Sequence, residues 1–406
     1  MTILHIITRL IVGGAQENTV ASCAAQVAGE HDVTLAFGPI YGPEGSLLPE
    51  ARATGARLVE IASMRRAVLP FHDVSSYRAL RRLVRRVRPD VVHTHSSKAG
   101  VVGRAAAWAE HVPAVIHTIH GLPFHDRQPA LVRNAYIAAE RWAARRCHVL
   151  IGVTQASCDA FQVKGIGQAS QFTVVPSGVD LSAFSSPTPG KRAQVRREMG
   201  IPDQAPVVGL VARLDPLKGQ DDLLDAVPTL QQRHPELRVV FVGDGWHRAA
   251  LEARVRNEGL AGRVIFTGLV SPARVGALLG AMDINTLPSY QEGQPRTLVQ
   301  SLLCGCAIVA YDSGGIGEVC IDGQTGRLVR AGDRTALAGA IGWLLDRPEK
   351  RRALAESGRT LAAQKFDVRV MTRRLQEIYE RALGEGAGFR VQGSGYRVRG
   401  SRMRDA

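Results

Sequence analysis

The sequence predicts an α/β protein made of two Rossmann-like, doubly wound domains that face each other across a cleft. Three observations lead there. Short apolar runs of strand length alternate with longer segments of helical periodicity, the pattern of a parallel sheet. This alternation runs once before Ser185 and starts again after Pro206. Between the two runs, residues 185–206 hold Pro187, Pro189, Pro202 and Pro206 around a short charged helix, as an interdomain connection does.

The totals agree with this division. A chain of 406 residues suggests two or three domains, and 45% hydrophobic content can fill large cores. A formal net charge of +14 and a pI of 10.1 favour anionic partners such as phosphorylated substrates or an anionic membrane. The basic excess is spread along the chain except for five arginines in residues 386–406. Cys23, Cys147, Cys158, Cys304, Cys306 and Cys320 have neither zinc-ligand spacing nor a paired framework, so they are expected to be buried, reduced thiols. The opening MTILHIITRL reads as a strand without a charged leader or cleavage site, and no apolar run is long enough to cross a bilayer. A cytoplasmic protein is expected.

In chain order, residues 3–8 form a first buried strand, which feeds the turn Gly13-Gly14 and a helix over 15–28. Strands follow at 32–37 and 58–61. Residues 71–88 form an amphipathic helix with Tyr77, Leu80, Val84 and Val87 on one face and Arg78, Arg81, Arg82, Arg85, Arg86 and Arg88 on the other. That basic face is either simply solvated or a docking surface for anionic lipid or a phosphorylated acceptor. The next strand runs into HTHSSKAG at 93–100. It brings His93, His95 and Lys98 to the carboxyl end of a strand, where open α/β sheets bind ligands. The strand at 114–118 ends in His120-Gly121, a second imidazole at the same edge. A helix over 131–147 and strands at 149–153 and 173–176 complete the first half.

The second half opens with a strand at 207–211 and the loop ARLDPLKG, residues 212–219. There Arg213 and Lys218 could pin a diphosphate, one as a fork and one as a point charge. A helix at 223–233 and a strand at 237–242 lead to Gly243-Asp244-Gly245. A strand at 264–267, a helix at 273–279 and a strand at 283–287 follow. Then comes PSYQEGQPRTLVQSLLCG. Glu292 sits beside Gly293 on a loop that enters a helix at 297–304. Such a helix start offers unpaired amides to an anion, whereas a carboxylate there suits a neutral polyol. A nucleotide sugar offers both. A strand at 307–310, a Gly-rich turn and helices at 335–345 and 369–383 end the ordered pattern. The Gly- and Arg-rich tail at 386–406 is expected to be disordered, serving solubility or binding an acidic surface, RNA or lipid.

These segments, in this order, resemble glycosyltransferase family 4, retaining enzymes of the GT-B fold, and among them capsular and exopolysaccharide glycosyltransferases. The resemblance spans residues 1–383 and rests on Gly13-Gly14-Ala15-Gln16, HTHSSKAG, His117-Thr-Ile-His120-Gly121, VPSGVD at 175–180, ARLDPLKG, VGDG at 242–245, Phe266-Thr-Gly268 and EGQPRTLVQSLLCG. It implies an N-terminal acceptor-side domain over 1–185 and a nucleotide-sugar domain over 186–365. A helix over 366–385 would cross back to the first domain, ahead of the basic tail.

By the same resemblance His120 and Glu292 act at the reacting sugar. Arg213, Lys218, Gly13, Gly14, Gly293 and Gln294 hold the donor diphosphate. Gln300, Val264 and Gly243 lie at the nucleoside, and His93, His95 and Lys98 at the acceptor. The family places a second Glu where this chain has Gln300, an uncharged partner for a ribose. No metal and no cofactor are implied, the donor being a UDP-linked sugar, and the chain has no Asp-x-Asp motif. The acceptor implied is a glycan or a polyprenyl-diphosphate-linked glycan at the inner face of the plasma membrane, with no nucleic acid. Two other functions fit the same cleft: a nucleotide-sugar epimerase, and a non-catalytic binder suggested by Gln300 and the tail.

Overall fold

A computed structural model describes residues 1–42 and 44–386. The first sheet is parallel and contains β1 (Thr2–Arg9), β2 (Asp32–Gly38), β3 (Arg57–Glu60), β4 (Val91–His95), β5 (Ala114–Ile119), β6 (Val149–Gly152) and β7 (Phe172–Val174). Their order is β3-β2-β1-β4-β5-β6-β7. The second sheet contains β8 (Val207–Val211), β9 (Arg238–Val242), β10 (Val264–Phe266), β11 (Ile284–Leu287), β12 (Ala307–Asp312) and β13 (Gly326–Arg330), in the order β10-β9-β8-β11-β12-β13. In both sheets the winding reverses beside the first strand, between β1 and β4 and between β8 and β11. Crevices open at such switch points, outside the carboxyl ends of the strands.

Helices cover both faces, so the central strands are buried throughout and read as continuous apolar runs. Ile3, Leu4, Ile6 and Ile7 of β1 are fully inaccessible, as are Val207, Val208 and Leu210 of β8. The helix Val368–Gly386 follows the second sheet in sequence yet packs on the first. Its Met371, Leu375, Ile378 and Tyr379 share a core with Ile3, Val91, Ile116 and Ile151.

Several elements were not expected from the sequence. HTHSSKAG divides between two elements: His93 to His95 end β4, and its second half begins the helix Ser97–Ala109. Gly100 lets this helix lie close on the sheet, since a Cβ there would sit 2.5 Å from His117 Cε1. The helices Gln155–Val163, Arg248–Asn257 and Pro348–Lys365 and strand β13 also lacked a strong enough pattern. Beyond its first residue, the basic tail at 386–406 lies outside the described residues. All six cysteines are free and buried.

Candidate active site

The carboxyl ends of the two sheets face each other across a cleft of about 1290 Å³. Its C-terminal wall begins where β8 gives way to the loop carrying Arg213 and Lys218. Asp215 caps the single turn Pro216–Lys218 by accepting from the Leu217 amide at 3.0 Å. Arg213 Nη2 lies 3.2 Å from Asp215, and its Nη1 lies 3.9 Å from Glu44 of the opposite domain. Lys218 Nζ is 2.6 Å from Glu292 Oε1. The carboxylates neutralise cations that are only part-exposed, 40% for Arg213 and 20% for Lys218, which offsets the cost of desolvating them.

The loop that bears Glu292 is wedged against the first domain. A Cβ on Gly293 would lie 2.1 Å from the backbone oxygen of His120, so only glycine fits there. Gln294 accepts from the Ser177 amide at 2.6 Å and donates to the Ser177 carbonyl at 2.9 Å. Its side chain is committed to that clamp. Gln291 donates to the Leu122 carbonyl, and Arg296 reaches both the Gly178 carbonyl and Glu17. The Arg127 guanidinium stacks 3.7 Å from the centre of the Tyr290 ring, a further bond across the domains. Gln300 lies one turn into the helix Arg296–Leu303, almost buried but lining the cleft. Gly243 lines the same wall at the end of β9. On the facing wall Gly13, Gly14, Lys98 and His120 line the cleft, with Lys98 held 2.5 Å from Asp73.

Comparisons with known proteins bear on the family and the fold. The model for glycosyl transferases group 1 matches residues 191–361, and that for Glycosyltransferase Family 4 matches residues 12–183. The D-inositol 3-phosphate glycosyltransferase of Acidothermus cellulolyticus is 32% identical over 317 residues, covering 73% of this chain and 68% of that protein. The chain belongs to glycosyltransferase family 4. Among solved structures, Anabaena HepE in complex with UDP-glucose matches with a TM-score of 0.80 at 23% identity, over 94% of this chain and all of that one. WaaG, a glycosyltransferase involved in lipopolysaccharide biosynthesis, matches with a TM-score of 0.75 at 18% identity, over 93% of this chain and 99% of that one. This glycosyltransferase therefore has the two-domain GT-B fold.

Three expected site residues fall elsewhere. Val264 opens β10, at the amino end of an edge strand, and is buried in the core beneath the second sheet. It is not among the residues that line the cleft. His93 and His95 have no exposed surface, so neither meets an acceptor. They point into the first domain, because β4 is a central strand packed on both sides.

There they meet His5, a residue the sequence did not single out. β1 pairs with β4 in a register that sets His5 beside His93, although 88 residues separate them in sequence. His5, His93 and His95 each offer a nitrogen within 4.8 Å of the others, but all six of their ring nitrogens already make hydrogen bonds. One line of bonds runs Gln26–His5–His95–His120 and ends at the cleft. Burial lowers the His5 pKa to about 4 and that of His120 to about 3; Arg296 also disfavours a charge on His120. Burial holds His93, His95 and His117 well below the usual range too. All of these imidazoles are neutral at physiological pH.

Proposed function

We propose that this glycosyltransferase moves a sugar from UDP to a hydroxyl of a glycan or polyprenyl-diphosphate-linked acceptor, with retention and without a metal, during cell-surface polysaccharide synthesis. The observation that carries the reading is the convergence of Arg213, Lys218 and Glu292 on one wall of the cleft, opposite His120. In transfer, the bond from the anomeric carbon to the diphosphate oxygen breaks and a bond to the acceptor oxygen forms. The acceptor proton ends on the released diphosphate. Arg213, Lys218 and the amides at the start of the helix Arg296–Leu303 stabilise the charge that develops on that leaving group. Glu292 and His120 meet sugar hydroxyls. UDP is favoured because HepE, of the same fold, was solved with UDP-glucose.

The acceptor reading rests on the surface beside the cleft mouth. Phe71 is 92% and Leu131 84% exposed, near exposed Val68 and Val74. Arg65, Arg66, Arg78 and Arg82 are exposed on the same segment. Apolar side chains among arginines suit the headgroup region of an anionic membrane, and Val68, Leu131 and Val132 also line the cleft. Among the described residues no helix is long and apolar enough to cross a membrane.

The test is to incubate the enzyme with UDP-sugars and a lipid-linked acceptor extract in EDTA, and to read the product's anomeric proton by NMR. UDP release with the donor's anomeric configuration kept is expected. An inverted product, or turnover only on adding a divalent ion, would contradict the proposal.

A further inference from the structure

The imidazole line that ends at His120 has a direction. Each ring is neutral and so carries one N–H. In such a line the first bond therefore dictates every bond after it. At the inner end, Gln26 turns its carbonyl Oε1 to His5 Nε2 at 2.7 Å and its amide Nε2 to the Tyr379 hydroxyl at 3.2 Å. A carbonyl only accepts, so the His5 proton sits on Nε2 and its Nδ1 is bare. His95 must then donate from Nε2 to His5 Nδ1, 2.9 Å away, which leaves its own Nδ1 bare. His120 in turn donates from Nε2 to His95 Nδ1 at 3.0 Å. The one nitrogen left over is Nδ1 of His120, a lone pair on a side chain that lines the cleft.

The amide itself is held in place. Having accepted the Gln26 N–H, the Tyr379 hydroxyl donates to His93 Nδ1 at 2.6 Å, and His93 Nε2 donates to Thr118 Oγ1 at 2.7 Å. Burial raises the Tyr379 pKa, so the hydroxyl keeps its proton. Reversing the proton on His120 would require the amide, the phenol and every ring to reverse together. Tyr379 lies on the helix that returns from the second sheet, so the lock is complete only when that helix is packed on the first domain.

We propose that Gln26, His5 and His95 are positioning residues, with Tyr379 as their anchor, that hold His120 as the Nε2–H tautomer so that its Nδ1 accepts a hydrogen bond from a substrate hydroxyl. The inference rests on the placement of His120 at the reacting sugar proposed above. It is tested on the free enzyme by two-bond ¹H–¹⁵N correlation of labelled histidines, with the His120 signals assigned by their loss in His120→Asn. Wild type should show His120 protonated on Nε2. Gln26→Met removes the fixed acceptor, so His120 should populate both tautomers and kcat should fall roughly tenfold to a hundredfold, the range seen when a metal-bound imidazole loses its orienting partner. Tyr379→Phe keeps the ring packing and frees only the amide; it should mix the tautomers partially and lower kcat less, with donor KM unchanged. A His120 proton on Nδ1 in wild type, or an unchanged His120 spectrum in both variants, would overturn the lock. Altered His120 spectra with undiminished kcat would instead overturn the role given to His120 in transfer and leave the lock standing.

Discussion

The two sheets share one strand order around their switch points, yet they deliver opposite chemistry to the cleft. The second domain presents ions: Lys218 paired with Glu292, and Arg213 paired with Asp215. The first also carries an ion pair at the cleft, Lys98 with Asp73, but opposite Lys218 and Glu292 it presents a neutral group: His120, backed by buried rings that cannot hold a charge. The contrast follows from what each wall would meet. A departing diphosphate gains negative charge, so fixed cations help most where it leaves. A sugar hydroxyl is best recognised by an acceptor whose lone pair is always free. A protonated imidazole would lose that lone pair, and burial prevents protonation.

This contrast can be broken first by acid, where the largest effect is expected. His5, His93, His95 and His117 stay neutral in the folded protein, but in an unfolded chain each titrates near 6.5. Between that value and about 4, the unfolded state binds more protons. The stability these residues contribute is therefore complete above 6.5 and is lost as pH falls through the window. Four such groups give a slope of up to about 5 kcal/mol per pH unit. Urea unfolding at a series of pH values between 7.5 and 5 should show the fall; a flat profile would mean that the rings are accessible or already charged.

A smaller effect is expected from the charged wall. Lys218→Ala should lower kcat/KM by roughly a hundredfold to a thousandfold, the cost of losing one preorganised donor at developing negative charge. Its melting temperature should stay close to wild type, since the side chain is part-exposed and belongs to no core. Full activity in this variant would show that the diphosphate lies elsewhere. The smallest change is expected at Gln300→Glu. A carboxylate restores the family's ribose partner at a nearly buried cleft position, so donor KM should fall or stay the same. A large rise in KM would assign Gln300 another contact.

The charged wall was legible in the sequence because its parts are local. Arg213 and Lys218 sit five residues apart on one loop, and Glu292 sits just before its helix. The neutral wall was legible only at its end. His120 stood out at a strand terminus, but the direction of its proton depends on Gln26, His5 and Tyr379, which come from three distant segments. Only the register of β1 against β4 and the return of the last helix bring them together. His93 and His95 were misplaced for the same reason. Alternation along a strand shows that they share a face, not that a helix buries that face. Val264 was placed in the right strand but at its wrong end.

The division of labour between the walls is tested most directly by titrating UDP into Lys218→Ala and His120→Asn in a calorimeter, with transfer assayed on the same preparations. Transfer should be crippled in both, while UDP affinity should fall at least tenfold in Lys218→Ala and stay at the wild-type value in His120→Asn, since a neutral group opposite the sugar adds nothing to diphosphate binding. Equal UDP affinity in Lys218→Ala and wild type, or a loss of UDP binding confined to His120→Asn, would contradict the account.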